Sequence, residues 1–520
     1  MSGNAPEIII VGAGIAGLAA ALRLSHRGCK VTVLDMHDEP GGKMRTLPSE
    51  CGPVDAGPTV LTMLPVFESL FADVGERLDN HIALTPLHVL ARHYWLDGTK
   101  LDLTVDADEN IANVDRAFGA KAAKQFAAFS ARAARLFDGF DAPMMQTPAP
   151  DQKAVTRSVL KNPKLIWDMA PHKTLAGMLK SAFSEPRLAQ LFGRYATYVG
   201  GSPYAAPALL ALIWQAEAKG VWTVDGGMSR LAATIASRAK AHGAEFRYGT
   251  KVTRITRQQG RITGVQTAAR HYPADIVLFN GDPRALATGL LGEAPKEVVS
   301  HDATEPRSLS AYVYAFAAAP KGVDLAHHTV FFAQNPKAEF TTIAEGGMPN
   351  DATLYLCAQD HGQVDPTAMQ RFEVIMNAPP IPRDPEKEKT LCQTVIFNRF
   401  KDFGLTFDPV PGPQTLTTPH GFDALFPASQ GSLYGRSPHG LTAAFKRPTA
   451  RTAIPGLYLC GGGTHPGAGV PMAVLSARHA AAAIMTDHAL QSTSPQTDTR
   501  GGMSMGSATA GPKRSLSSGS

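Results

Sequence analysis

Gly12, Gly14 and Gly17, spaced as G-x-G-x-x-G, carry the first recognisable chemistry of this chain, and Asp35 follows 23 residues after Gly12. Glycine at the first position permits a tight turn. At the second it lets backbone N–H groups approach a pyrophosphate, and at the third it lets a helix pack closely on a strand. A helix opening at such a turn presents partial positive charge to phosphate. Asp35 is suited to accept hydrogen bonds from ribose hydroxyls, and a carboxylate there disfavours a 2′-phosphate. A dinucleotide is the expected ligand.

The elements around these residues must position them. Glu7-Ile8-Ile9-Ile10-Val11 is a short β-branched run of the kind buried in a parallel sheet. An alanine-rich helix is expected from about Leu18 to Arg27, stopped by Gly28, and Lys30 to Asp35 forms the next strand. A related pattern returns mid-chain. Gly226-Gly227-Met228 precedes a helix over about Ser229–Ala241, followed by strands near Glu245–Ile255, Gly264–Ala268 and Ala274–Asn280. Near the C-terminus, Gly456–Cys460 is a strand, Gly461–Gly469 a glycine loop and Pro471–Met485 a helix. Three separated stretches, 1–69, 220–299 and 441–490, thus read as one discontinuous α/β Rossmann-type nucleotide domain. The stretches 70–219 and 300–440 read as an inserted α+β substrate domain. Residues 491–520, rich in Ser, Gly and Thr, read as a disordered tail.

The choice of dinucleotide comes from a second glycine pair. Gly41-Gly42-Lys43-Met44-Arg45 follows the second strand, and Asp55-Ala56-Gly57-Pro58-Thr59 comes soon after. An extended FAD needs such further turns and basic groups past its pyrophosphate, whereas NAD does not. The loop Gly461-Gly462-Gly463-Thr464-His465-Pro466-Gly467-Ala468-Gly469 opens a helix at Val470-Pro471-Met472. Its N-terminus suits the flavin ring, where negative charge develops on reduction.

These motifs resemble the FAD-dependent amine oxidase and phytoene desaturase superfamily over about residues 6–487. The phrase Tyr458 to Pro471 is similar to the bacterial carotenoid desaturases. Gly57-Pro58-Thr59-Val60-Leu61-Thr62-Met63 and Gly431-Ser432-Leu433-Tyr434-Gly435-Arg436 resemble the branch acting on 1-hydroxylated or methoxylated acyclic carotenoids, the 1-hydroxycarotenoid 3,4-desaturases. The resemblance implies a two-dinucleotide-binding FAD fold. It implies cofactor contacts from Gly12, Ala13, Gly14, Ala16, Gly17 and Asp35, from Gly42, Lys43 and Arg45, from Gly57, Pro58 and Thr59, from Val252, and from Gly462, Gly463, Val470, Pro471 and Met472. The implied reaction removes two hydrogens from adjacent carbons of a polyene, with a hydride passing to the flavin and electrons leaving to quinone or oxygen. Amine oxidases carry an acidic residue where Gly462 stands, which argues against amine oxidation. A phytoene desaturase, a flavin-dependent carotenoid isomerase and a non-catalytic lipid-binding relative remain alternatives.

Each side chain that could act on substrate has a plainer reading. His465 either touches the reacting end or fixes its loop through backbone. Lys43 and Arg45 either pair with cofactor phosphate or are solvated. Asp55 either acts near the flavin or stabilises a turn. Cys460 reads as a packed thiol, and Arg436 either meets a substrate oxygen or braces its loop. Tyr195, Tyr198, Trp214 and Trp222 either line a hydrocarbon tunnel or are core.

Composition limits the remaining partners. The 520 residues are 44% hydrophobic and 18% charged, with a net charge of +5, which is globular and too weakly basic to indicate nucleic acid. Five scattered cysteines without a C-x-x-C pair indicate neither metal site nor disulfide framework and fit a reducing cytosol. No apolar run reaches the roughly 18 residues of a bilayer span. Eight Lys/Arg against Asp168 and Glu185 lie between Lys153 and Arg194, among Leu160, Ile166 and Trp167. That mixture suits short interfacial pieces, broken at Pro163 and Pro171. The expected location is cytoplasmic, peripheral to the inner photosynthetic membrane.

Overall fold

In the computed structural model, which describes residues 5–380 and 385–493, five parallel strands form the first sheet. Their order is Leu457–Leu459, Ile276–Phe279, Glu7–Val11, Lys30–Leu34 and Glu245–Arg247. The central strand is buried at Ile8, Ile9 and Ile10, as a strand covered on both faces must be. Helices Ile15–His26, Met228–Ala241 and Val470–Thr493 share one core beside it, joined through Leu18, Leu22, Leu231 and Ala477. An antiparallel ribbon of Val252–Gln258, Arg261–Thr267 and His271–Pro273 belongs to the core on the other side.

The strand expected over Glu245–Ile255 is two strands. Glu245–Arg247 completes the parallel sheet and Val252–Gln258 starts the ribbon. Gly249, at φ +60°, turns the chain between them, and Thr250 N–H bonds the Asp35 carbonyl at 2.7 Å. The C-terminal helix runs beyond Met485 to Thr493, so it includes the first residues assigned to the tail; residues 494–520 lie outside the described residues.

A second, eight-stranded sheet runs Thr406–Asp408, Ser310–Lys321, Gln370–Ala378, Leu354–Ala358, His328–Phe331, Val89–Tyr94 and Lys100–Thr104, with Leu416–Thr417 also on Ser310–Lys321. Strand alternation divides its residues. Tyr312, Tyr314, Phe372 and Val374 join Ile396 and Phe400 of the helix Pro385–Asp402 in one core. The other face carries Ala315, Glu373, Cys357 and His328, which pair in register across four strands, and Tyr355, two residues before Cys357.

A helical layer covers that face. Proline and capping residues cut its basic portion into Gln152–Leu160, Pro163–Met169, Leu175–Ala182 and Pro186–Gly193. Asp151, Asn162, Thr174 and Glu185 each cap the next helix, accepting from its early N–H groups. Among the described residues, no helix is long and apolar enough to cross a membrane.

Candidate active site

The glycine turn is built from both directions. Gly12 takes φ +105°, and a Cβ on Gly17 would stand 2.1 Å from the Gly12 carbonyl oxygen, so only glycine allows that approach. Asn280, at the end of its strand, donates from Nδ2 to the carbonyls of Gly12 and Gly14 at 3.0 and 3.2 Å. Buried Asp35 accepts from Ala13 N–H at 2.5 Å and from His37 N–H at 2.8 Å. Each of its oxygens retains a further lone pair for a ribose hydroxyl. The helix Ile15–His26, which contains buried Ala16, starts at Gly14 with no side-chain cap and no acid in its first turn. Its first N–H groups therefore suit a pyrophosphate. Val252 opens the ribbon two residues beyond Thr250, the residue tied to Asp35.

Gly41 and Gly42, at φ +124° and +60°, bring the second loop against the first; a Cβ on Gly42 would lie 3.1 Å from Gly14 Cα. Lys43 donates to the Leu433 carbonyl at 2.5 Å and lies over the Phe426 ring. Burial pushes its ammonium down to about 8, against the pull of Asp282. Arg45 donates to Thr417 and lies over Phe422, with its Nε buried and unpartnered. Gly57 crosses so close that a Cβ would stand 1.9 Å from the Lys43 carbonyl oxygen, and Pro58-Thr59 continue the loop. Asp55 braces backbone, accepting from Met228 and Ser229 N–H at the start of their helix.

At the C-terminal loop, Arg447 donates to the carbonyls of Gly462, Tyr434 and Arg436, and burial pushes it down to about 10. A Cβ on Gly462 would meet only Ala468 at 3.9 Å, whereas one on Gly463 would press on Pro283 at 2.4 Å. Val470, Pro471 and Met472 open the long helix, whose first turn has no acid. The uncapped helix start at Gly14, the acid-free start at Val470 and the crossing glycines fit an extended flavin dinucleotide. His465 contacts backbone: Nε2 is 2.7 Å from the Thr147 carbonyl, the ring stacks on His479, and burial lowers its basicity. Cys460 is fully buried, and burial raises its thiol.

On the substrate side, Tyr195 and Tyr198 donate to the two oxygens of Glu217 at 2.8 and 2.9 Å. Arg194 bonds the Tyr198 hydroxyl and lies over the rings of Tyr198 and Tyr355. Trp214 is core, bonded to Ser130, and Trp222 is half-buried in the strand Trp222–Val224. Arg436 braces its loop through the carbonyls of Asp302 and Ser437. A cavity of about 590 Å³ is lined by Phe183, Tyr204, Phe332 and Phe340, with Lys180, Arg194 and Asn377.

Beside it lies a polar cluster. Thr59 bonds Glu373 and Tyr355, Tyr355 bonds His328, and Cys357 contacts His327 at 3.6 Å. Burial holds Glu373 well above the usual carboxylate range and His328 well below the usual imidazole range. No motif announced Glu217, His328, Tyr355 or Glu373. The one signal was a lone acid inside an apolar stretch, Glu373 between Phe372 and Val374.

A model of the flavin-containing amine oxidoreductases matches residues 15–323 and 404–485. The hydroxyneurosporene desaturase of Cereibacter sphaeroides is 55% identical over 94% of this chain and 99% of its own. The 1-hydroxycarotenoid 3,4-desaturase of a Flavobacterium species is 29% identical over 91% of this chain and 97% of its own. The solved structure of putrescine oxidase bound to putrescine, 13% identical, superposes with a TM-score of 0.60 over 92% of this chain and 99% of that one, a likeness of fold.

Proposed function

The chain belongs to the flavin-containing amine oxidoreductase family and, within it, to the bacterial carotenoid desaturases, and from that premise we propose that it introduces the 3,4 double bond into 1-hydroxy- or 1-methoxy-carotenoids. The names of the two relatives, a hydroxyneurosporene desaturase and a 1-hydroxycarotenoid 3,4-desaturase, support that substrate class. The observation that carries the reading is the apolar cavity, whose wall residue Arg194 lies over Tyr355, itself bonded to Thr59 of the expected flavin loop. A long hydrocarbon entering there would reach the cofactor while its surroundings exclude water.

Bound FAD supplies the hydride acceptor, and quinone or oxygen reoxidises it. Gly12, Ala13, Gly14, Ala16 and Gly17 hold its pyrophosphate and Asp35 its ribose. Val252 borders the adenine end. Gly42, Lys43, Arg45, Gly57, Pro58 and Thr59 flank the ribityl chain and ring, as do Gly462, Gly463 and the helix start at Val470, Pro471 and Met472. In this reading residues 1–69, 220–299 and 441–490 carry the cofactor, and 70–219 and 300–440 the substrate.

The enzyme works at a membrane surface, on the cytoplasmic side of the inner membrane. Leu160 and Trp167, 65% and 81% exposed, stand beside exposed Lys161 and Lys164, and Lys180 of the same helical layer lines the cavity. Anaerobic mixing of holoenzyme with a 1-hydroxycarotenoid tests the reaction: flavin absorbance bleaches in proportion to new double bonds. Isomerised product without bleaching would replace this reading with an isomerase.

A further inference from the structure

Thr59, Tyr355, His328 and Glu373 meet where solvent does not reach, at 7%, 9%, 2% and 0% exposure. Thr59 Oγ1 lies 3.2 Å from Glu373 Oε2 and 2.8 Å from the Tyr355 hydroxyl, which lies 2.7 Å from His328 Nδ1. The polarity of this chain follows from one group. When Glu373 is ionised, as a base must be, its carboxylate only accepts, so the single Thr59 hydroxyl proton goes to Glu373. Tyr355 must then donate to Thr59, and His328 must donate from Nδ1 to Tyr355. His328 Nε2 is left as a bare acceptor, and it is the ring nitrogen without a partner. In that ionised state every proton in the chain points toward Glu373.

The other carboxylate oxygen, Glu373 Oε1, has no partner at all. Glu373 shares its strand face with Ile375, which packs against the helical core, and with Asn377, which lines the cavity. A buried carboxylate with one oxygen held and the other free is the arrangement of a positioned base.

We propose that Glu373 is the base of the desaturation, taking on Oε1 the proton of the carbon next to the hydride donor, with Thr59, Tyr355 and His328 as positioning residues. This rests on the desaturase reading above. The C–H bond at the proton donor breaks, its electron pair becomes the new C=C bond, and the neighbouring carbon gives its hydride to the flavin. The flavin is thereby reduced by two electrons, the polyene is oxidised, and Glu373 becomes a neutral carboxylic acid.

The surroundings suit that task. Burial and then Asp55 weaken the ionised form of Glu373, which strengthens it as a base, while the Thr59 hydroxyl and Arg45 favour ionisation. Cys357 and Ala315 flank it on the neighbouring strands, Cys357 held as a neutral thiol by burial. Burial first, and then the charges of His327, Arg194 and His361, disfavour the charged form of His328 and keep it a neutral donor.

The test uses purified holoenzyme carrying Glu373→Gln, Glu373→Asp or Tyr355→Phe, with flavin content and melting temperature confirming the fold. In anaerobic rapid mixing with the carotenoid, Glu373→Gln should bleach flavin about 100-fold more slowly than wild type, with Glu373→Asp partly restoring the rate. The wild-type rate should rise with pH, and Tyr355→Phe should move that rise to higher pH because the carboxylate loses its relayed donor. Infrared spectra of the holoenzyme without substrate give a second readout. A buried carboxyl band that titrates in wild type should vanish in Glu373→Gln and shift in Tyr355→Phe. If wild type bleaches and Glu373→Gln bleaches equally fast, the base role falls alone. If no carotenoid bleaches wild type, the desaturase reading falls first and the base role with it.

Discussion

Asp55 Oδ2 accepts the backbone N–H of Met228 at 2.6 Å, joining residues 173 apart in the chain. The same carboxylate takes Ser229 N–H, so it caps the helix Met228–Ala241 from outside it. Gly227 is glycine because a Cβ there would stand 2.5 Å from that oxygen. Asp55→Ala should therefore destabilise the fold by about 1–2 kcal/mol or more, since it removes a cap and leaves buried N–H groups unpaired. Asp55→Asn should recover part of the loss. Thermal unfolding of the three proteins checks this, and equal stability of Asp55→Ala and wild type would refute the cap.

Asn280 holds the Gly12–Gly14 turn through two carbonyls. Replacing it with alanine removes two hydrogen bonds, each worth about 1 kcal/mol, from a loop that must be preorganised. Asn280→Ala should weaken FAD binding by roughly tenfold or more. Titrating FAD into apoprotein and following flavin fluorescence measures the change; an unchanged affinity would show that the turn holds itself.

How much of this could be read from the sequence depended on the range of the interaction. The turn at Gly12, Gly14 and Gly17 was legible because its constraints are local to the backbone, and so was the strand ending near Asn280. The side-chain role of Asn280 was not, because its partners lie 266 and 268 residues away. Asp55 has two readings in the sequence, and only its tertiary partner Met228 separates them. Glu373, Tyr355 and His328 each sit singly on a different strand of one sheet. Their shared face is a product of register, which no local pattern records. The break at Gly249 is not legible in the sequence, because the turn answers to the distant Asp35 carbonyl.

Glu339 supplies a pH dependence. It is 2% exposed, accepts from Thr353 N–H and Oγ1, and burial pushes its carboxyl up to about 7. Its folded value lies above its unfolded one, so the neutral acid is the stabilising form. That contribution is complete below the ordinary Glu value and is lost as pH rises through about 7. The linked loss amounts to about 3 kcal/mol across roughly pH 4.5 to 7. Glu339→Gln, which stays neutral, should flatten the fall of melting temperature over that window. A variant whose curve parallels wild type would rule Glu339 out.

The proposed membrane docking would have two separable contributions. Leu160→Ala with Trp167→Ala should lower partition onto vesicles of any charge, since both side chains are exposed. Glutamate at Lys161, Lys164, Lys173 and Lys180 should abolish only the preference for anionic vesicles. Vesicle sedimentation separates the two, and unchanged binding of both variants would place the docking surface elsewhere.

The central claim, a flavin desaturase of 1-hydroxylated acyclic carotenoids, is most directly tested by producing the protein in a bacterium that accumulates hydroxyneurosporene. Each added conjugated double bond moves the pigment spectrum to the red. A red shift with the hydroxylated carotenoid, absent in cells that accumulate only phytoene, is the predicted result. A shift with phytoene and none with the hydroxylated carotenoid would contradict it.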